Sequence, residues 1–153
     1  YTVEHTLSLH DALPIFVRYS GLYSALLGDP AYRSDGGCPT GAAAIYQVVE
    51  VPRTGQATLR FWYLIQSYDT RQFDYLAVIV ASTPDLSKPP VFSQGRTYWD
   101  QWLWSSGWRE AKISLSPFKG ETVYIMLCNV MGNDDGWYNT WTYVDDVRID
   151  YRP

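Results

Sequence analysis

The sequence is poor in charge and, beyond its first residues, has no histidine at all. Charged residues make up only 18% of the 153 positions. Lys88 and Lys119 stand isolated, and no Lys/Arg cluster supplies the electrostatic footprint of a nucleic-acid surface. No apolar run reaches the roughly 18 residues that a helical membrane span requires. Both histidines, His5 and His10, fall within residues 1–15. The rest of the chain therefore offers no imidazole for a Ser-His-Asp triad, a Cys–His pair, or His-ligated zinc or iron. Cysteine is scarce too, with Cys38 in a glycine-rich loop and Cys128 in an apolar run. One disulfide formed in an oxidising compartment and two free thiols both fit that spacing. Without a histidine partner, neither thiol reads as a nucleophile.

The beginning of the chain stands apart. Residues 6–15, Thr-Leu-Ser-Leu-His-Asp-Ala-Leu-Pro-Ile, match codon for codon the translation of a common sequencing-adapter stretch. Residues 1–15 are therefore set aside as a non-native segment. Residues 16–153 are expected to form a single domain, cut off from its native upstream sequence. Setting aside Glu4 and Asp11 leaves 14 acidic against 12 basic residues, a net charge of -2.

What is abundant is aromatic. Phe, Trp and Tyr make up 16% of the chain, with seven Trp and thirteen Tyr. Combined with Gly, Pro and Ser turns, this composition reads as an extracellular β domain. The hydrophobic pattern agrees. Residues 56–66 alternate, with Leu59, Phe61, Tyr63 and Ile65 on one side. Residues 108–115 also alternate. Residues 73–81 and 121–130 are apolar on both faces, as central strands are. Residues 44–51 form a further strand ended by Pro52, and residues 19–27 a first one. Residues 116–120 (Ser-Pro-Phe-Lys-Gly) read as a turn. Strands separated by turns, with no convincing helix, predict a β-sandwich of two antiparallel sheets.

The closing strand carries an anomaly. In residues 143–149 strict alternation places Tyr143, Asp145, Val147 and Ile149 on one, otherwise apolar, face. A carboxylate there needs hydrogen bonds, an ion pair or a metal, because its desolvation costs several kcal/mol or more.

Several stretches together resemble a known group. Gly21-Leu22-Tyr23-Ser24-Ala25-Leu26-Leu27-Gly28 is similar to a G-x-x-S-x-x-L-G opening, followed by Ile45-Tyr46-Gln47, Val51-Pro52 and residues 57–63. Asp74-Tyr75-Leu76, Trp108, Leu115, Phe118-Lys119-Gly120 and Val144-Asp145-Asp146-Val147 continue the pattern. In order and spacing these resemble the MAM-like and carbohydrate-binding-module-like jelly rolls of secreted bacterial proteins, over about residues 21–149. The resemblance implies an all-β jelly-roll sandwich appended to a secreted hydrolase or surface protein. It also implies a native first strand upstream of Gly21, where this chain carries the adapter-like segment. An Asp of the closing motif often holds a structural calcium in such modules. Asp145, and less readily the outward-facing Asp146, are the residues that would do so here; the alternative is that Asp145 caps backbone donors.

Two aromatic groups then suggest a ligand surface. Tyr98, Trp99, Trp102 and Trp104 crowd one segment, and Trp137, Tyr138 and Trp141 another, just after Asp134 and Asp135. Flat rings stack on sugar faces while nearby carboxylates accept hydrogen bonds from hydroxyls. The competing reading is that these rings pack under loops. Trp62 and Trp108 lie at pattern positions and are expected to be structural. Asn133-Asp134-Asp135-Gly136 reads as a turn, since an EF-hand needs further ligands and a closing Glu. Asp69 and Asp74 are paired in sequence, but a glycosidase pair requires a cleft and one raised pKa. The expectation is thus a non-catalytic extracellular module that binds a glycan or a cell-surface protein through Trp99, Trp102, Trp104, Asp134, Asp135, Trp137, Tyr138 and Trp141, beside covalently linked neighbouring domains. The alternative is a structural spacer without a ligand. Exposed rings favour the first, and buried rings the second.

Overall fold

The computed structural model describes residues 17–31, 40–132 and 138–153. The expectations for residues 1–15, Cys38, Asp134, Asp135 and Trp137 lie outside these residues.

Among the described residues, nine strands form two antiparallel sheets. They are β1 (Ala25–Leu27), β2 (Gly41–Glu50), β3 (Gln56–Ser67), β4 (Asp74–Ala81), β5 (Phe92–Gln94), β6 (Trp104–Ser105), β7 (Arg109–Ser114), β8 (Thr122–Met131) and β9 (Thr140–Arg152). The first sheet runs β1-β9-β3, with β6 and β7 both pairing the far edge of β3. The second runs β2-β8-β4-β5. Most successive strands cross between the sheets, β4–β5 and β6–β7 excepted, as in a jelly roll. The expected turn at residues 116–120 contains a 3₁₀ turn, Ser116–Phe118, with Pro117 as its second residue. β5 and β6 are too short for periodicity to show, and of the first strand expected over residues 19–27 only Ala25–Leu27 pairs.

The alternation decides the packing. Leu59, Phe61, Tyr63 and Ile65 of β3 meet Leu76, Val78 and Val80 of β4 and Val123, Ile125 and Leu127 of β8 in the main core. β4 and β8 are apolar on both faces because their outer face is buried as well: Ala77, Ile79, Met126 and Cys128 form a second cluster there. A third cluster, Leu64, Trp141 and Tyr143, covers the outer face of the first sheet.

The closing strand corrects the sequence reading. Arg60 pairs with Arg148 but Trp62 with Asp145, so two residues of β9, Asp146 and Val147, stand opposite Phe61. This is a β-bulge, with Asp146 at φ +50°, a left-handed conformation that Asp tolerates better than most residues. The extra residue reverses the alternation. Asp145 shares the outer face with Tyr143 as expected, but Val147 and Ile149 do not share it; they are exposed on the other face.

Candidate functional site

One end of the sandwich is built on a buried polar network. Asp74, at the start of β4, accepts hydrogen bonds from Thr140 Oγ1 (2.8 Å) and from the Gly132 amide (3.0 Å). Thr140 Oγ1 also meets Ser67 Oγ at 2.6 Å. Asn129 Nδ2 donates to the Thr140 carbonyl, and its Oδ1 accepts from Thr142. Ser67 caps the Asp69 amide, and Asp69 Oδ1 accepts from the Thr70 amide at 2.6 Å. All these side chains are buried. Asp69 and Asp74 are thus both buried members of this network. The network fixes the turn between β3 and β4 and the start of β9. Gly28, at φ +91°, fits beside it, where a Cβ would crowd Asn129 Nδ2 and the Thr140 carbonyl at 3.1 Å each.

The segment between β5 and β6 is docked on that turn. The Arg71 amide donates to the Arg96 carbonyl at 2.7 Å. Gly95 allows the close approach, since a Cβ there would stand 2.8 Å from Arg71 Cβ. Arg96 itself is 0% exposed, which for arginine demands partners. Its Nη1 donates to the Trp102 carbonyl at 3.0 Å and its Nη2 lies 2.5 Å from Asp100 Oδ1. The guanidinium sits 4.9 Å from the centre of the Tyr98 ring. Asp100 also accepts from the Trp102 amide at 2.8 Å. The Arg96 hydrogen bond, aided by the one from Trp102, holds the Asp100 carboxyl below the usual carboxylate range. The buried cation thereby clamps the segment from the inside.

The clamped backbone turns its rings outward. Trp102 is 70% exposed, and Tyr98 and Trp99 are each 56% exposed. Trp99 meets Tyr138 edge to face, with ring centres 6.2 Å apart. The structure therefore brings Trp99, Trp102 and Tyr138 to one end of the molecule. Tyr98, Trp99 and Trp102 are thus three neighbouring exposed aromatics, an unusual feature of a monomeric surface. Thr97 and Gln101 of the same segment are both exposed.

Two of the expected ligand residues are not among these exposed rings. Trp141 is only 8% exposed and packs with Leu64 and Tyr143, because β9 turns its ring onto the outer face of the first sheet. Trp104 is half-buried against the main core, since β6 pairs with β3 and turns the ring inward. Arg96 was missed altogether. Its only signal in the sequence is a lone arginine between a glycine and an aromatic run.

Asp145 is a capping residue. Its Oδ2 accepts from the amides of Tyr19 (2.8 Å) and Ser20 (3.0 Å), and its Oδ1 from the amide of Asp146 (2.7 Å). Ser20 Oγ donates to Asp146 Oδ1 at 2.7 Å, and Ser24 Oγ holds the Val17 carbonyl at 2.6 Å. Tyr19 then stacks flat on Trp62, with centres 3.8 Å apart and planes 11° apart, and leans on Trp108. Both Asp145 oxygens are committed to N–H donors, which repel a cation, while Asp146 Oδ1 accepts a hydroxyl. Ca²⁺ asks for six to eight oxygen ligands, and no group of three or more acidic, Cys or His side chains exists among the described residues. The residues present do not fit a calcium site at Asp145 and Asp146.

Elsewhere, a cavity of about 400 Å³ lies on the outer face of the second sheet, lined chiefly by Ala42, Ala77, Ile79, Val130 and Met131. It has no carboxylate or carboxamide to orient a polar ligand. Cys128 at its floor is a free thiol, and burial pushes its pKa up to about 11.

No family model matches the chain, and no curated protein is significantly similar to it. Solved structures are. The complex of TmCBM61 with β-1,4-galactotriose aligns with a TM-score of 0.50 and 15% identity, over 88% of this chain and 74% of that one. The K3 cleaved adhesin domain of Lys-gingipain from Porphyromonas gingivalis aligns at 0.47 and 17%, over 73% of this chain. This chain spans only 65% of that adhesin's length. A CBM4 structure aligns at 0.38 and 14%, over 77% of this chain and 80% of that one. The likeness to the TmCBM61 structure shows a shared β-sandwich fold.

Proposed function

We propose that this domain is a non-catalytic, extracellular glycan-binding module whose platform is Tyr98, Trp99 and Trp102, with Tyr138 at its border. The observation that carries the reading is the exposure of these rings on a backbone held by a fully buried arginine. Rings lost to solvent cost solubility unless a ligand covers them, and a rigid support keeps that exposure from collapsing. A pyranose presents a flat C–H face to an indole, and each ring contributes a few kcal/mol by burial and contact. Thr97 and Gln101 are placed to bond hydroxyls at the rim. The ligand in the TmCBM61 structure makes β-1,4-linked galacto-oligosaccharides the first class to try. Attachment to a secreted hydrolase or surface protein belongs to the same proposal, as does binding in place of spacing. Affinity electrophoresis against β-1,4-galactan, xylan, mannan and β-glucan tests it. Retardation in one of these gels is expected; uniform mobility in all of them, for a protein shown to be folded, returns the domain to a spacer.

A further inference from the structure

The strand β9 is paired on both sides over only part of its length. β3 covers one edge along the whole strand. On the other edge, β1 reaches only residues 142–144. From the bulge onward, residues 146–152 have no strand on that side among the described residues, and the described contact there is the Ser20 hydroxyl on Asp146. Such an edge is a template for another chain. It is also apolar: Val147, Ile149 and Tyr151 are all exposed. Ile149 pairs with Leu59 of the main core, so its side chain points towards the space between the sheets. β1 lies against β2 across the sandwich. A strand that prolonged β1 along β9 would therefore cover Ile45 and Val49 of β2, which are only partly buried.

The charges along this edge name its occupant. The segment reads Asp146-Val147-Arg148-Ile149-Asp150-Tyr151-Arg152. Let a second copy lie antiparallel to it, centred on Ile149. Arg148 then faces the partner's Asp150, and Asp150 the partner's Arg148. Asp146 faces the partner's Arg152, Val147 faces the partner's Tyr151, and Ile149 meets itself. Every charged pair is opposite in sign. Centring on Arg148 or on Asp150 instead sets Asp146 against Asp150 or Arg148 against Arg152, both repulsive. Antiparallel partners must share a face, so a register centred between residues is excluded. The Arg148 and Asp150 side chains are 45% and 40% exposed, so their contacts with Glu110 and Arg60 leave room for a partner.

We infer that this chain forms a two-fold dimer by antiparallel pairing of β9 with β9 of a second copy, centred on Ile149, which joins the two first sheets into one. The interface is isologous, as a C2 dimer requires. Tyr138 lies just before β9, so each aromatic platform sits at the far end of its own β9. Nine residues separate Thr140 from Ile149, so the two platforms point to opposite ends at roughly 60 Å. That span suits a repetitive polymer bound through avidity. The dimer itself does not depend on the platform binding glycan.

Sedimentation equilibrium of the 153-residue chain, with a thermal melt of every variant, tests this. Wild type is expected to dimerise reversibly in the micromolar to sub-millimolar range. Arg148→Asp and Asp150→Arg each set two like-charged pairs across the axis and should weaken self-association about tenfold or more. Arg148→Asp combined with Asp150→Arg restores every pair and should restore the dimer. A wild-type monomer throughout, with the amides of residues 147–152 protected from exchange, means the chain's own residues fill the edge, and the inference falls. It falls equally if the wild type is monomeric with those amides unprotected, if a dimer ignores the single changes, or if the double change fails to rescue it.

Discussion

Two groups of aromatics in this molecule are each organised by one charged residue, and they end in opposite states. At the clip, Asp145 collects the amides of Tyr19, Ser20 and Asp146, and the chain lays Tyr19 flat on Trp62. The rings there satisfy one another. At the platform, Arg96 collects the Trp102 carbonyl and the Asp100 carboxylate from beneath, and Tyr98, Trp99 and Trp102 are left facing water. The charge lies outside the core and next to the rings in one case, and under the rings in the other. A ring stacked on a ring contributes to folding; a ring held open contributes nothing until something covers it. The comparison separates rings that cover one another from rings left open for the proposed ligand, which aromatic content alone does not.

The sharpest way to break this comparison is to remove rings from each side. Trp99→Ala with Trp102→Ala should weaken glycan binding by roughly 4 kcal/mol, about a thousandfold, with the melting temperature nearly unchanged. Calorimetric titration and a thermal melt on the same sample check both halves. Trp62→Ala should do the reverse. It should cost about 3 kcal/mol of stability, read by urea unfolding, and leave binding intact.

The charged residues give smaller effects. Asp145→Ala strands three amide donors and should destabilise the domain by about 1–3 kcal/mol. Calcium should leave the melting temperature of the unaltered chain where it is; a calcium-dependent rise that Asp145→Ala abolished would reinstate a metal there. The smallest effect is at Asp100. Its pKa in the fold lies below the unfolded value near ~3.9. Its pairing with Arg96 therefore contributes above that value and is lost as the pH falls through the depressed one. Because Asp100 is exposed and screened by solvent, that contribution is small. Binding should be flat between neutral pH and about pH 5 and weaken only in stronger acid. An intervening titration would point to a group other than Asp100.

Much of the fold was legible because it rests on period-two patterns. β3, β7 and the apolar runs of β4 and β8 showed themselves within a few residues. The bulge did not, because an extra residue is a local backbone event with no hydrophobic signature; only the Asp145-Asp146 pair hinted at it. Asp145 was rightly singled out as needing partners, but those partners were amides 125 and 126 positions away, which no local pattern encodes. Trp99 and Trp102 were legible as a group, yet Trp104 and Trp141 belonged to the same groups and turned inward. Pairing with β3 decides which way each ring of β6 and β9 points. Arg96 was illegible because a buried arginine is read from its surroundings.

The central claim is that the clamped aromatic segment is a sugar platform. Tryptophan-fluorescence titration with β-1,4-galactotriose, and with any other glycan that retards the protein in gels, tests it most directly when run on three proteins in parallel. The account predicts a saturable change in the unaltered chain and in Trp62→Phe, and none in Trp99→Ala with Trp102→Ala. An unaltered chain that responds to no glycan, or a double variant that responds as the unaltered chain does, would contradict it.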